Sequence, residues 1–585
     1  MFKEKMPDKK LLPSLFGYLR VGLFMLFLNL LAVAVFGQSS AITQPQDDSA
    51  QIRVDFKQEK GALEPIWAYW GYDEPNYTYM KNGKKLLTEI SELSPVPVYL
   101  RTHNLMTTGD GTARLKWGST NMYTEDAQGN PVYDWTIIDK IFDTYVNRGM
   151  KPLVEIGFMP KALSSHPEPY AHHWSPDKPY ADIFTGWAYP PKDYEKWADM
   201  VYHWVQHNIE RYGRDEVRTW KWEVWNEPNI DYWKGSKQEY FKLYDYGVDA
   251  VKRALPEATV GGPHSTDPRF DGPAQFLHDF LDHCKNGKNY ATGITGAPLD
   301  YIGFHAKGSP KVVNEHVQMG INAQLQDIEK GFQIVASYPE FKHLPIIIGE
   351  SDPEGCAACS TELHPQNGYR NGTMYSSYTA ASFARIYELA DKYGVNIEGA
   401  LSWSFEFENE PWFAGFRSMA TNGVDKPVLN VFRMFGMMQG NRVKVQSDHA
   451  IPLEDIVKSG VRGDHSDVDA LASRSDHSAS VLIWNYYDDN VDGPPSAVHL
   501  SLNGLPEGKI LVRQYRVDQN HSNSYTVWKE MGSPQDVTPE QYKQLERAGQ
   551  LHMLHSPKWI TVSGKKTDLS MTLPRRAVSL VQLTW

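Results

Sequence analysis

Between about residue 60 and residue 437, eight short apolar runs recur with amphipathic stretches between them. This alternation constrains the fold more than any other feature. The runs are Ile66–Trp70, Val96–Leu100, Pro152–Gly157, Trp220–Trp225, Thr259–Gly262, Tyr301–His305, Pro345–Gly349 and Gly399–Trp403. Helical spacing is found at Asp139–Arg148, Tyr194–Tyr212, Gln238–Ala254, Ile321–Tyr338 and Tyr375–Tyr393. Strands alternating with helices imply parallel βαβ units of an α/β protein, and eight units imply a closed (β/α)8 barrel rather than an open sheet. No G-x-G-x-x-G follows the first strand, which argues against a dinucleotide fold. Beyond about residue 440 come β-rich runs between turns, at Val481–Tyr487, Val498–Leu502, Ile510–Val517 and Ala577–Thr584. They predict an antiparallel β-sandwich beside the barrel, with Arg474–Ser478 and Asp488–Pro495 as exposed loops. The expected domains are a barrel over residues 38–437, with an N-terminal extension to about 60, and an accessory over residues 438–585.

The first 37 residues read as an address. Five cationic and two anionic side chains within residues 1–20 precede a 17-residue apolar run, Val21–Gly37, broken only by Asn29. Val35 and Gly37 occupy the small-residue positions of a cleavage site, as in a secretory signal peptide. The long basic region makes Met6 an alternative start, and an uncleaved anchor is the competing reading of the same run. The expected location is periplasmic or extracellular, with no membrane contact beyond export. Removing residues 1–37, with their surplus of three positive charges, deepens the net charge from −12 to −15. Such a balance argues against nucleic acid as partner, because phosphate backbones attract basic surfaces. Three cysteines, Cys284, Cys356 and Cys359, are too few for a disulfide scaffold. The Cys356-Ala-Ala-Cys359 pair is open to three readings: zinc half-site, redox pair or local disulfide. One C-x-x-C supplies too few zinc ligands, and no redox-type βαβ unit surrounds it.

Catalytic groups of such a barrel sit where strands end, at its carboxyl face. The fourth run leads into Trp225-Asn226-Glu227-Pro228-Asn229, and the seventh into Gly349-Glu350-Ser351-Asp352-Pro353. A carboxylate among aromatic rings is poorly solvated, so its pKa is expected to rise, which suits Glu227 to general-acid work. Glu350 is the first charged residue after a buried apolar strand. Two carboxylates facing each other across a barrel mouth are the apparatus of glycoside hydrolysis, and retention requires a separation of roughly 5–5.5 Å. No strand-end cluster with metal-ligand spacing is apparent, so no metal and no cofactor are expected. The aromatic load of 18 Trp, 32 Tyr and 23 Phe admits both core packing and sugar stacking. Trp70, Trp222, Trp225, Trp403 and Trp412 lie near strand ends, where a sugar cleft would use them.

Three segments carry a family resemblance: Tyr99-Leu100-Arg101-Thr102-His103-Asn104, Val154-Glu155-Ile156-Gly157-Phe158-Met159-Pro160, and Trp225 to Asn229. Together they resemble glycoside hydrolase family 39, which includes β-xylosidases and α-L-iduronidases. Asn520-His521-Ser522-Asn523-Ser524-Tyr525 and Trp528-Lys529-Glu530-Met531-Gly532 resemble the xylosidase accessory. The resemblance implies Glu227 as acid/base and Glu350 as nucleophile. It implies Asn226 on the sugar 2-hydroxyl, and Arg101, His103, His305 and Trp403 as further substrate-binding residues. Two departures point to the iduronidases: Glu350-Ser351-Asp352-Pro353 and His305-Ala306-Lys307-Gly308. In that pattern Lys307 contacts a uronate carboxylate through a charge-assisted bond, and Arg417 is a second candidate cation there. The expected activity is that of an exo-acting retaining glycosidase on an oligo- or polysaccharide, with β-D-xyloside ahead of an α-L-iduronidase-like uronide. The competing class is a non-catalytic carbohydrate-binding barrel.

Overall fold

The computed structural model describes residues 49–179 and 183–585. The expected signal peptide at residues 1–37 lies outside the described residues. No helix among the described residues is long and apolar enough to cross a membrane.

The eight expected strands are all present, displaced by a few residues at their ends. They are Tyr69–Tyr72, Tyr99–Thr102, Lys151–Ile156, Lys221–Val224, Thr259–Ser265, Tyr301–Lys307, Pro345–Asp352 and a split eighth strand, Asn396–Ala400 with Ser402–Trp403. Neighbours pair in parallel and in chain order. The eighth strand nearly closes the ring, because Asn396–Ala400 pairs with the seventh strand while Ser402 and Trp403 pair with Trp70 and Gly71 on the first. A layer of Tyr69, Leu153, Tyr301, Ile347 and Leu401 packs together from five of the strands. The fold is therefore the expected barrel.

The surrounding helices start where the backbone is capped. Asp193 accepts from the amides of Glu195 and Lys196 at the head of Tyr194–Tyr212, and Ser236 forms a capping box with Glu239 ahead of Lys237–Ala254. Helices Lys81–Leu93, Asp271–Asn286 and Pro427–Gly436 were not anticipated. Gly272 and Pro273 in the first turn of the second mimic a loop in sequence, although proline is tolerated there.

The C-terminal part is a ten-stranded sheet of the sandwich type. It is mixed, not purely antiparallel. Ala50–Ala62, expected as an extension ahead of the barrel, is one of its strands, antiparallel to Asn441–Ser447 and parallel to Ser496–Asn503. Ile52, Val54 and Phe56 bury their side chains with Val481, Leu500 and Leu502. Two helices, Ser524–Glu530 and Pro539–Gly549, are added to this part. Asp488, expected in an exposed loop, is fully buried and accepts from the Tyr486 hydroxyl at 2.6 Å.

Cys356 and Cys359 are joined as a local disulfide, while Cys284 is free and buried. The asparagines of Asn76-Tyr-Thr and Asn371-Gly-Thr, both potential glycosylation sequons, are buried and hydrogen-bonded to backbone carbonyls.

Candidate active site

Strand alternation decides which side chains enter the barrel mouth. On the sixth strand, His305 and Lys307 are two residues apart and share a face. Arg101 lies on the second strand, and His103 is the first residue past its end. The fourth strand stops at Val224, and the chain then turns sharply. Trp225 and Glu227 take φ of 73° and 42°, a left-handed conformation that non-glycine residues adopt at a cost of order 1–3 kcal/mol. Surrounding contacts hold the turn. The Trp225 indole donates to the Tyr232 carbonyl at 2.9 Å, and the Glu227 amide donates to the His264 carbonyl at 3.0 Å.

The turn brings Glu227 to Glu350. A carboxylate oxygen of each lies within 4.8 Å of the other, and His305 falls inside the same limit. Lys307 Nζ lies 2.7 Å from Glu227 Oε1 and 2.7 Å from Glu350 Oε2. His305 Nδ1 lies 2.9 Å from Glu227 Oε1. Glu227, His305 and Glu350 are spaced as ligands of a divalent cation would be, but the Lys307 ammonium supplies the positive charge at that place.

This arrangement reverses the pKa expected for Glu227. Burial pushes its carboxyl up, but the Lys307 ammonium and His305 outweigh burial and hold it well below the usual carboxylate range. Glu350 is likewise lowered, with Lys307 and then His305 overcoming burial. Burial drives His305 down to about 4, so at neutral pH it is uncharged and its Nδ1–H can donate to Glu227. Both glutamates are therefore ionised at neutral pH.

Beneath them, Arg101 is fully buried. It pairs with Glu223 at 2.6 Å, Glu155 at 3.0 Å and Glu350 at 3.5 Å, and donates to Asn226 Oδ1 at 2.9 Å. Its Nη1 also lies 3.2 Å from His103 Nε2; because arginine can only donate, that ring nitrogen accepts and Nδ1–H is left to donate to Asp73 at 2.8 Å. His264 Nε2 lies 2.6 Å from Glu223 Oε2, and a Cβ at either Gly303 or Gly349 would collide with the His264 ring. Glycine at 349, just before Glu350, is therefore a packing requirement. A cavity of about 340 Å³ opens above these groups, walled by Asp73, Lys116, Tyr232 and Trp403.

The sequence profile of the family described as Glycosyl hydrolases family 39 matches residues 50–567. The chain belongs to that family. A β-xylosidase of Geobacillus stearothermophilus is 27% identical over 501 residues, spanning 83% of this chain and 86% of the relative. An α-L-iduronidase of Mus musculus is 27% identical over 417 residues, 66% of this chain and 62% of the relative. The crystal structure of a monomeric β-xylosidase from Caulobacter crescentus CB15 superposes with a TM-score of 0.69 at 23% identity, covering 91% of this chain and 99% of that one. This family 39 chain is a glycosidase.

Of the residues expected from sequence, Glu227, Glu350, His103, Lys307 and Trp403 line the cavity of the family 39 barrel. His305 and Asn226 stand directly behind it, and the buried Asn226 Nδ2 has no hydrogen-bond partner among the described residues. The two expected arginines lie outside the cavity lining. Arg101 is not a surface of the pocket but a fully buried anchor beneath it. Arg417 is also fully buried, donating to the Trp403 carbonyl at 2.9 Å and to Glu354 Oε1 at 2.8 Å, so it braces the loop after the seventh strand. Trp70, Trp222 and Trp225 belong to the core. Asp73 and Lys116, an ion pair in the cavity wall, were missed. Asp73 is the first charged residue after the first strand, which runs to Tyr72 and not to Trp70.

Proposed function

We propose that this glycosidase works by double displacement and releases one terminal sugar at a time. The observation that carries the proposal is the approach of Glu227 and Glu350 to within 4.8 Å in a walled cavity, close to the roughly 5–5.5 Å of retaining enzymes. Glu350, ionised, attacks the anomeric carbon as the glycosidic bond breaks, and Glu227, which takes up a proton once bound substrate has loosened its contact with Lys307, protonates the departing oxygen. Glu227, now a carboxylate, takes a proton from water, which attacks the same carbon and frees Glu350. In this reading Asn226 Nδ2 donates to the sugar 2-hydroxyl, supported by its lack of a partner among the described residues, and Trp403, packed on His103 at 4.2 Å, offers a ring for stacking.

The leading substrate is a β-D-xyloside, supported by the β-xylosidase similarity over 83% of the chain. A second reading, an anionic uronide, is favoured by Lys307. A substrate carboxylate would draw the ammonium away from Glu227, and burial would then raise the Glu227 pKa and let it hold the proton it must donate. The signal-peptide reading of residues 1–37 supports action outside the cytoplasm.

Nitrophenyl β-D-xyloside and nitrophenyl α-L-iduronide, compared in the wild type and in Lys307→Ala, separate the two. A selective loss on the iduronide supports carboxylate binding by Lys307. No change on either substrate removes that role.

A further inference from the structure

A second cavity, of about 510 Å³, is lined by different residues from the catalytic pocket but in part by the same chain segments. Two chain segments contribute near-adjacent residues to both. Lys116 faces the catalytic pocket and Leu115 the second cavity; Gly355 and Cys356 face the first, and Ala358 and Ser360 the second. The Cys356–Cys359 disulfide, with its Cα atoms 5.5 Å apart, ties the stretch of chain that runs from one to the other. The second cavity is aromatic. Phe413, Phe416 and Trp528 are buried, whereas Trp174 and Trp412 are half-buried and present ring surface. The C-terminal part supplies Trp528 and Gln535, and the Gln535 amide holds the Trp412 main chain: Oε1 accepts from its backbone N–H at 2.9 Å and Nε2 donates to its backbone carbonyl at 3.3 Å. The Trp174 indole N–H is shielded from solvent and has no partner among the described residues. Glu362 and Glu410 are the charged groups of the lining, which contains no Lys, Arg or His.

We infer that this cavity is a binding site for uncharged pyranose units of the glycan on the leaving-group side of the scissile bond. Rigid aromatic faces suit the apolar faces of such sugars, the partnerless indole N–H suits a hydroxyl, and the acidic lining repels uronate units. The accessory part thereby becomes a component of the substrate cleft. The inference rests on the xyloside reading proposed above.

The test compares kcat/KM on xylohexaose with kcat/KM on nitrophenyl β-D-xyloside, in the wild type, Trp412→Ala and Trp412→Phe. The ratio of hexaose to aryl substrate is expected to fall about tenfold in Trp412→Ala and to recover substantially in Trp412→Phe. If Trp412→Ala does not fold, Trp174→Ala carries the same expectation. An unchanged ratio in the folded variants overturns the inference while leaving the hydrolase reading intact. A wild type that turns over neither substrate overturns the xyloside reading and, with it, this assignment.

Discussion

Lys307 Nζ lies 2.7 Å from Glu227 Oε1, so the group expected to be the proton donor is ion-paired. The same ammonium is equally close to Glu350. One cation thus lowers the pKa of both carboxylates, and on the proposed mechanism substrate loosens this contact before Glu227 acts as an acid.

The pH dependence follows in sign. A cation beside a carboxylate lowers its pKa, and Lys307 lowers both Glu227 and Glu350 against the effect of burial. Lys307→Met is expected to move both limbs of the bell-shaped kcat/KM profile toward higher pH. Profiles of the two proteins on one aryl glycoside are the measurement, and limbs that stay in place contradict the electrostatic role.

The Gly349 position leaves no room for a methyl group beside the His264 ring. Gly349→Ala is expected to displace Glu350 or His264, destabilising the fold by about 1–3 kcal/mol and sharply lowering kcat. Thermal melts read the first effect and aryl glycoside turnover the second. A variant with wild-type values for both would show that the packing around His264 relaxes freely.

Arg417 braces the loop after the seventh strand. Removing one member of a buried ion-pair network leaves its partners unpaired, a loss of about 3–5 kcal/mol. Arg417→Met is therefore expected to lower the melting temperature and the yield of folded protein, without changing the ratio of xyloside to iduronide turnover. A selective change in that ratio would restore Arg417 to the substrate site.

The disulfide closes only a short loop. Chain-entropy arguments give such a crosslink about 2 kcal/mol. Arg370 also holds this segment, donating to the Cys359 carbonyl at 2.8 Å and the Cys356 carbonyl at 2.6 Å. The Cys356→Ser/Cys359→Ser double variant should melt a few degrees lower and raise KM more than it lowers kcat, because the pocket wall loosens while the glutamates stay in place. Loss of kcat at constant KM would contradict this division.

Much of the fold is legible in the sequence because each barrel strand is a contiguous apolar run, as with Pro345–Gly349. The sandwich strand Ala50–Ala62 is not. Its partners lie about 390 and 450 residues away, and no local pattern announces such pairing. Glu227 and Glu350 are legible because each is a charge placed at the end of a buried strand. Arg101 and Arg417 mislead because a guanidinium beside a site looks the same in sequence whether it faces the sugar or is buried beneath it. The Glu227 environment misleads as well. Its aromatic neighbours argue for a raised pKa, whereas the opposing cation comes from a strand 80 residues further along.

The central claim is that Glu350 is the nucleophile of a retaining hydrolase. Turnover of the aryl glycoside accepted by the wild type, measured with Glu350→Ala in the absence and presence of azide, tests it most directly. The account predicts a loss of about a thousandfold or more, partial recovery with azide, and a glycosyl azide of inverted anomeric configuration, because the anion enters the space the carboxylate has vacated. Hydrolysis by Glu350→Ala at the wild-type rate without azide would contradict it.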